Sequence, residues 1–159
     1  MSVSILTGDC LDVLRTLPAE SVNCCVTSPP YWGLRDYGIV GQLGLEETPQ
    51  AFVAAMGAVF DEVRRVLKPT GLCVVNLGDS YYGGKGASST AADDPDARRE
   101  QGLTLQRGIS KIGDTRPQDS RSINWPAKSL LLIPWRFCIG MVERGWVARN
   151  VVPWWKKNP

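Results

Sequence analysis

Apolar residues fall into short continuous runs and one long periodic stripe, and their alternation gives the chain its plan. Val3 to Leu6 is a short apolar run followed by Thr7-Gly8-Asp9-Cys10, after which Leu11, Leu14 and Leu17 recur at helical spacing up to Pro18. This predicts strand, turn, helix. Val22, Cys24, Cys25 and Val26 form a second run, a short buried strand that Pro29 and Pro30 must end because neither can donate to a sheet ladder. Gly33 to Glu47 is polar, glycine-rich and without period, which predicts a loop. Thr48-Pro49 then offers a cap and a proline at the first helical position, and Phe52, Met56, Val59, Phe60, Val63, Val66 and Leu67 make one apolar stripe. Lys68-Pro69-Thr70-Gly71 stops that helix, Leu72 to Leu77 reads as a buried strand, and Asn76-Leu77-Gly78-Asp79-Ser80 sits at its tip.

From Tyr81 to Pro126 the character changes. Gly, Ser, Thr, Asp and Arg dominate and no period survives, so a long flexible loop is expected at about 81–126. It carries Lys85, Arg98, Arg99, Arg107, Lys111, Arg116 and Arg121. Closure over a ligand and a plain excursion both fit such a loop. Order returns at Leu130, where Pro134 opens a helix with a stripe of Trp135, Cys138, Ile139, Met141 and Val142, and Gly145 ends it. Trp146 to Val152 reads as a last strand, broken by Pro153. Strand, helix and strand in this rhythm imply right-handed parallel crossovers and a doubly wound α/β sheet in one domain over residues 1–159.

Composition changes the picture little but excludes much. The chain has 159 residues, 43% hydrophobic and 21% charged, which is ordinary for a soluble globular domain. No apolar run approaches the roughly 20 residues that span a bilayer, and nothing resembles a signal peptide, so a cytoplasmic protein without membrane attachment is expected. Five cysteines, Cys10, Cys24, Cys25, Cys73 and Cys138, read as small buried hydrophobes in a reducing compartment. There is no histidine, which excludes every His-dependent triad, and no cysteine cluster with zinc spacing, so no metal is expected. The net charge of +2 hides an asymmetry: residues 1–79 carry five Lys/Arg against nine Asp/Glu, and residues 129–159 carry five against one. A basic C-terminal end is consistent with a phosphate-facing side, as it is with a solvated surface.

The candidate chemistry lies at the tip of the Val22–Val26 strand, in Thr27-Ser28-Pro29-Pro30-Tyr31-Trp32. Ser28 precedes a proline and is pushed toward extended backbone, while Pro29 and Pro30 fix their own φ, so three consecutive residues have little freedom. That stiffness suits an exocyclic amine of cytosine or adenine, whose lone pair is delocalised into the ring. Acceptors aimed at both N–H bonds draw the amine out of planarity; the Ser28 hydroxyl and the Pro29 carbonyl are such acceptors, and Tyr31 is placed to stack on a base flipped out of a duplex. Ser28-Pro29-Pro30-Tyr31, together with the longer stretch to Gly38, resembles the catalytic motif of amino-group DNA methyltransferases, which make N4-methylcytosine or N6-methyladenine. A serine at the first position of that motif leans toward cytosine N4, so the resemblance implies a restriction-modification methyltransferase acting on cytosine N4 in double-stranded DNA. The alternative is adenine N6.

The same resemblance implies a Rossmann-like methyltransferase fold and S-adenosyl-L-methionine as methyl donor. Gly8-Asp9-Cys10-Leu11 is similar to the motif whose aspartate meets the adenine amino group of that cofactor, which makes Asp9 the cofactor candidate; an N-cap for the Leu11 helix is the plainer role, and the two are compatible. Base-pocket candidates are Trp32, Asp79 and, by similarity to the family's late aromatic segment, Trp154 or Trp155. For Asp79 and Asn76 closure of a turn is the alternative, and for the two tryptophans core packing. The order resembles the permuted one in which the catalytic half comes first and the glycine-rich cofactor loop last. No Phe-x-Gly-x-Gly occurs in the chain, so only the N-terminal part of the sheet is expected here, with the cofactor loop on a missing C-terminal segment or a second chain. The 159 residues alone are then expected to be inactive, and a non-catalytic remnant that binds DNA or a partner is the competing reading.

Overall fold

The computed structural model describes residues 3–82, 125–126 and 128–155. The seven basic residues expected on the long loop, and Lys156 to Pro159, lie outside the described residues. The elements run α1 (Cys10–Thr16), β1 (Val22–Thr27), α2 (Pro49–Val66), β2 (Leu67–Val75) and α3 (Ile133–Glu143).

β1 and β2 are parallel, joined through α2, which is the crossover that the strand–helix–strand rhythm predicts. Cys24, Cys25, Val26 and Thr27 stand opposite Leu72, Cys73, Val74 and Val75, and the amide of Asn76 extends the ladder by donating to the Thr27 carbonyl at 2.9 Å. The predicted turn at Lys68–Gly71 is an excursion inside β2: the two steps from Val22 to Cys24 face the five from Leu67 to Leu72. Gly71 permits it, since a Cβ there would lie 2.9 Å from the Lys68 carbonyl oxygen and 3.2 Å from that of Asn23.

α2 is the hub. Thr48 caps it by accepting from the Ala51 amide at 3.1 Å, Pro49 opens it, and of the predicted stripe Phe52, Met56, Phe60, Val63, Val66 and Leu67 are buried while Val59 is half-buried. Leu131, Ile133, Phe137 and Met141 close the core from the α3 side, where Phe60 meets Phe137 edge-on with ring centroids 5.0 Å apart. Two arginines tie the flanking helices to α2. Arg65 donates to the Leu14 and Leu17 carbonyls at the C-terminal end of α1, and Arg64 to the Arg144 carbonyl at that of α3. Gly145, at φ +86°, ends α3 as predicted: its amide donates to the Val142 carbonyl and that of Trp146 to Met141.

Several expectations are corrected. The two strands expected to be buried are covered on one face only, since Val26, Leu72 and Val74 are exposed. Val3–Leu6 and Trp146–Val152 are not strands, because a strand exists only where a neighbour takes its N–H and C=O groups, and among the described residues neither run has one. The buried stripe of α3 is Ile133, Phe137 and Met141; of the expected stripe Met141 is buried and Cys138 half-buried, while Trp135, Ile139 and Val142 are exposed, because apolar residues lie on both faces and leave the periodicity ambiguous. Cys10 and Cys24 are exposed rather than buried. The stretch expected to be loop from Tyr81 begins ordered, since Tyr81 pairs with Leu130 in an antiparallel bridge and Tyr82 exchanges hydrogen bonds with Lys128 and Ser129. Among the described residues no helix is long and apolar enough to cross a membrane.

Candidate active site

β1 ends at Thr27, and Ser28, Pro29, Pro30 and Tyr31 continue from its C-terminal tip into the wall of a cleft of about 320 Å³. Leu34, Arg35 and Tyr37 complete the wall. A cleft of this size lies at the lower end of small-molecule sites, which run from roughly 300 Å³ upward. Ser28 and Pro30 are exposed, Pro29 and Tyr31 half-buried. The Tyr31 ring is seated on the tip of β2: a Cβ on Gly78 would fall 2.7 Å from its Cε2 and 2.9 Å from its Cδ2, so only a glycine leaves room for the ring. On its other side Gly44, at φ +100°, approaches the Tyr31 carbonyl oxygen, which a Cβ would meet at 3.1 Å.

The loop after the tetrad is built back upon it. Gly33 donates to the Gly44 carbonyl at 2.7 Å, Trp32 donates from Nε1 to the Glu46 carbonyl at 2.8 Å, and Glu46 accepts from the Gly44 amide at 3.0 Å. These bonds carry the Trp32 ring into the core, where it is 1% exposed. Trp32, a base-pocket candidate by sequence, therefore serves as the anchor under the cleft. Burying a tryptophan with its N–H satisfied fixes the chain on either side, and the tetrad is on one of those sides.

The other candidates stand elsewhere. Asp9 caps α1, its Oδ1 accepting from the Leu11 amide at 2.9 Å and the Asp12 amide at 3.3 Å, with the carboxylate exposed. Asp79 caps α3 from 54 residues away. Its Oδ2 accepts from Leu132 and its Oδ1 from Ile133, each at 3.0 Å, and Oδ1 also takes the Ser80 amide at 2.9 Å. α3 needs this because its own N-cap position holds Leu132, which has no side chain to offer. Asp79 thus neither lines the cleft nor merely closes its turn, and Asn76 is exposed beside the ladder. Trp154 and Trp155, 78% and 86% exposed, are not core residues, and the structure does not bring them into the cleft. Among the described residues no cluster of His, Cys, Asp and Glu is gathered as for a metal ion.

The thiols show the solvation along the strands. Burial pushes Cys73 up to about 12, with Cys25 beside it raising it further, and burial raises Cys25 as well. They are neutral packing groups.

An exposed serine followed by two prolines and an aromatic ring, at the C-terminal end of a parallel strand, stands where open α/β sheets place ligands. The sequence profile of the DNA methylase family matches residues 22–159, which is most of the chain and includes every cleft residue. The chain belongs to this family of amino-group DNA methyltransferases. It is 39% identical over 155 residues to the type II methyltransferase M.XycI of Xanthomonas campestris pv. cyanopsidis, an alignment covering 98% of this chain and 47% of the relative. M.Cfr9I of Citrobacter freundii matches with the same identity and coverage. M.SmaI of Serratia marcescens is 34% identical over 157 residues, covering 99% of this chain and 49% of its own length. The chain therefore spans about half the length of these three relatives. No solved structure matches it.

Proposed function

We propose that this chain is the catalytic part of a DNA methyltransferase that modifies the exocyclic N4 of cytosine in duplex DNA after flipping the base into the Ser28–Tyr31 cleft. The observation that carries the reading is the position of Ser28-Pro29-Pro30-Tyr31: the tetrad leaves the tip of a parallel strand and lines a cleft, within a chain of the DNA methylase family. The Ser28 hydroxyl and the Pro29 carbonyl accept the two N–H bonds of the amine and draw its lone pair out of the ring plane. Tyr31, seated on Gly78, stacks on the base, and the buried Trp32 holds the tetrad still.

S-adenosyl-L-methionine, when bound, supplies the methyl group. Asp9 fits its adenine end: two backbone amides hold one carboxylate oxygen in place, and the group is exposed. The described residues offer no glycine-rich cradle for the methionine end, and the reading assigns that role to polypeptide beyond the 159 residues, in the same protein or in a second chain. The wider fold in this reading is a Rossmann-like doubly wound sheet of which residues 1–159 form one catalytic-half domain.

The product is the test. Duplex DNA methylated by the enzyme is digested and its nucleosides are analysed by mass spectrometry. N4-methyldeoxycytidine is expected, because Ser28 stands where enzymes of the adenine type usually carry aspartate or asparagine. N6-methyldeoxyadenosine as the dominant product would overturn the cytosine assignment and leave the amino-methyltransferase class standing.

A further inference from the structure

The cleft has a charged wall that the tetrad chemistry does not use. Among the described residues that line it, Arg35 is the one with a charge. The backbone around Arg35 is gripped by Gln42: its Nε2 donates to the Arg35 carbonyl at 3.0 Å and its Oε1 accepts from the Tyr37 amide at 2.7 Å. One side-chain amide thus satisfies the acceptor of one cleft residue and the donor of another, two positions apart. Gln42 is itself held by its own amide, which donates to the Ile39 carbonyl at 3.2 Å, and Asp36 takes the Gly38 amide at 2.7 Å. This grip acts on a stretch that would otherwise be loose, since Gly38 and Gly41 sit at φ +69° and +80°, with nothing within 4 Å of where a Cβ would be. Ordering backbone costs roughly 1–2 kcal/mol per residue, so a surface loop tied this closely around a cleft residue is held for its position.

We infer that Arg35 is the phosphate contact of the cleft, binding the DNA backbone beside the extruded nucleotide, and that Gln42 is its positioning residue. The inference rests on the proposed DNA substrate and deepens it. A base held by Ser28 and Tyr31 keeps its own phosphates at the rim of the same cleft, and an exposed guanidinium whose backbone is pinned at that rim meets them with paired N–H donors. Phosphate contacts set register without reading sequence, so Arg35 acts on affinity for every flipped site alike.

The test is binding of the whole chain to a short duplex with one mispaired cytosine, followed by fluorescence anisotropy across a salt series. Each phosphate contact contributes about 0.9 to the slope of log affinity against log salt. Arg35→Ala is expected to lower that slope by about 0.9, and Arg35→Lys to restore it. Gln42→Ala is expected to lower the slope in the wild-type background and to leave it unchanged when Arg35 is already alanine. Circular dichroism of each variant should match the wild type, because Arg35 and Gln42 lie outside the core. An Arg35→Ala slope equal to that of the wild type would overturn the phosphate role while the DNA reading stands. A Gln42→Ala effect on the slope that persists without Arg35 would overturn the positioning role. Failure of the wild-type chain to bind the duplex would overturn the DNA reading and this inference with it.

Discussion

Ser28 and Tyr31 are exposed or half-buried at a strand tip, and neither belongs to the core. In a methyltransferase carrying both halves, Ser28→Ala should therefore leave the fold intact and, by removing one oriented acceptor, lower kcat about 10²- to 10³-fold. Tyr31→Ala should weaken binding of the flipped base by about 1–3 kcal/mol, the worth of one stacking ring. Steady-state kinetics separates the two effects, and wild-type turnover by Ser28→Ala would reduce the tetrad to a turn. The tetrad was legible in the sequence because prolines fix backbone locally and need no partner. Trp32 was not: a tryptophan beside a strand tip has the same letter whether it faces a base or the core, and the deciding bond runs to Glu46, 14 residues on. Arg35 and Tyr37 were hidden for a similar reason, since what brings them to the cleft is the Gln42 amide. Cys73 gives a pH prediction at the same scale. Its folded value of about 12 lies above the ordinary 9.0, so between those values the folded chain keeps a proton that the unfolded chain has lost. Stability should fall as pH rises through that window, and Cys73→Ala should remove that part of the fall. Urea midpoints of both proteins at neutral pH and at about pH 10 check this, and parallel curves would contradict it.

Among the elements, the start and the buried face of α2 were readable because cap, proline and stripe are all local signals, whereas its end was not: β2 begins at Leu67, ahead of the expected stop at Lys68–Gly71. α3 was readable in place but not in rotation: its end is set by Gly145, whereas its buried face is chosen by Phe60 on another helix. Its beginning depends on Asp79, a cap that no local pattern could reveal because it acts across more than 50 residues. Asp79→Ala strips three backbone amides of their acceptor at once, and loss of a cap costs about 1–2 kcal/mol. The urea midpoint should drop accordingly, with exchange of the Leu132 and Ile133 amides accelerated. An unchanged midpoint would mean that solvent caps α3 as well as the carboxylate does.

At the scale of the molecule, one face of the β1–β2 pair is packed and the other is bare. Val22, Cys25, Cys73 and Val75 lie against the core, while Val26 is 75% and Leu72 64% exposed, with Val74 between them in the same plane. Parallel strands are almost always covered on both faces. An apolar outer face on such a pair supports the proposed doubly wound sheet, in which further polypeptide packs where Val26, Leu72 and Val74 now meet water. This yields a difference between two measurements. In the 159-residue chain, Val26→Thr and Val74→Thr should each change unfolding free energy by no more than about 0.5 kcal/mol, as exposed substitutions do, while Phe52→Ala should cost about 3–5 kcal/mol. In a methyltransferase carrying both halves, the same two valines would be interior, and the threonine hydroxyl would be buried among apolar groups at about 1–3 kcal/mol each. Denaturant unfolding of both forms decides it: equal, small effects in each would leave the outer face exposed and the sheet singly wound, whereas a cost confined to the longer form would establish that the second layer lies on these residues.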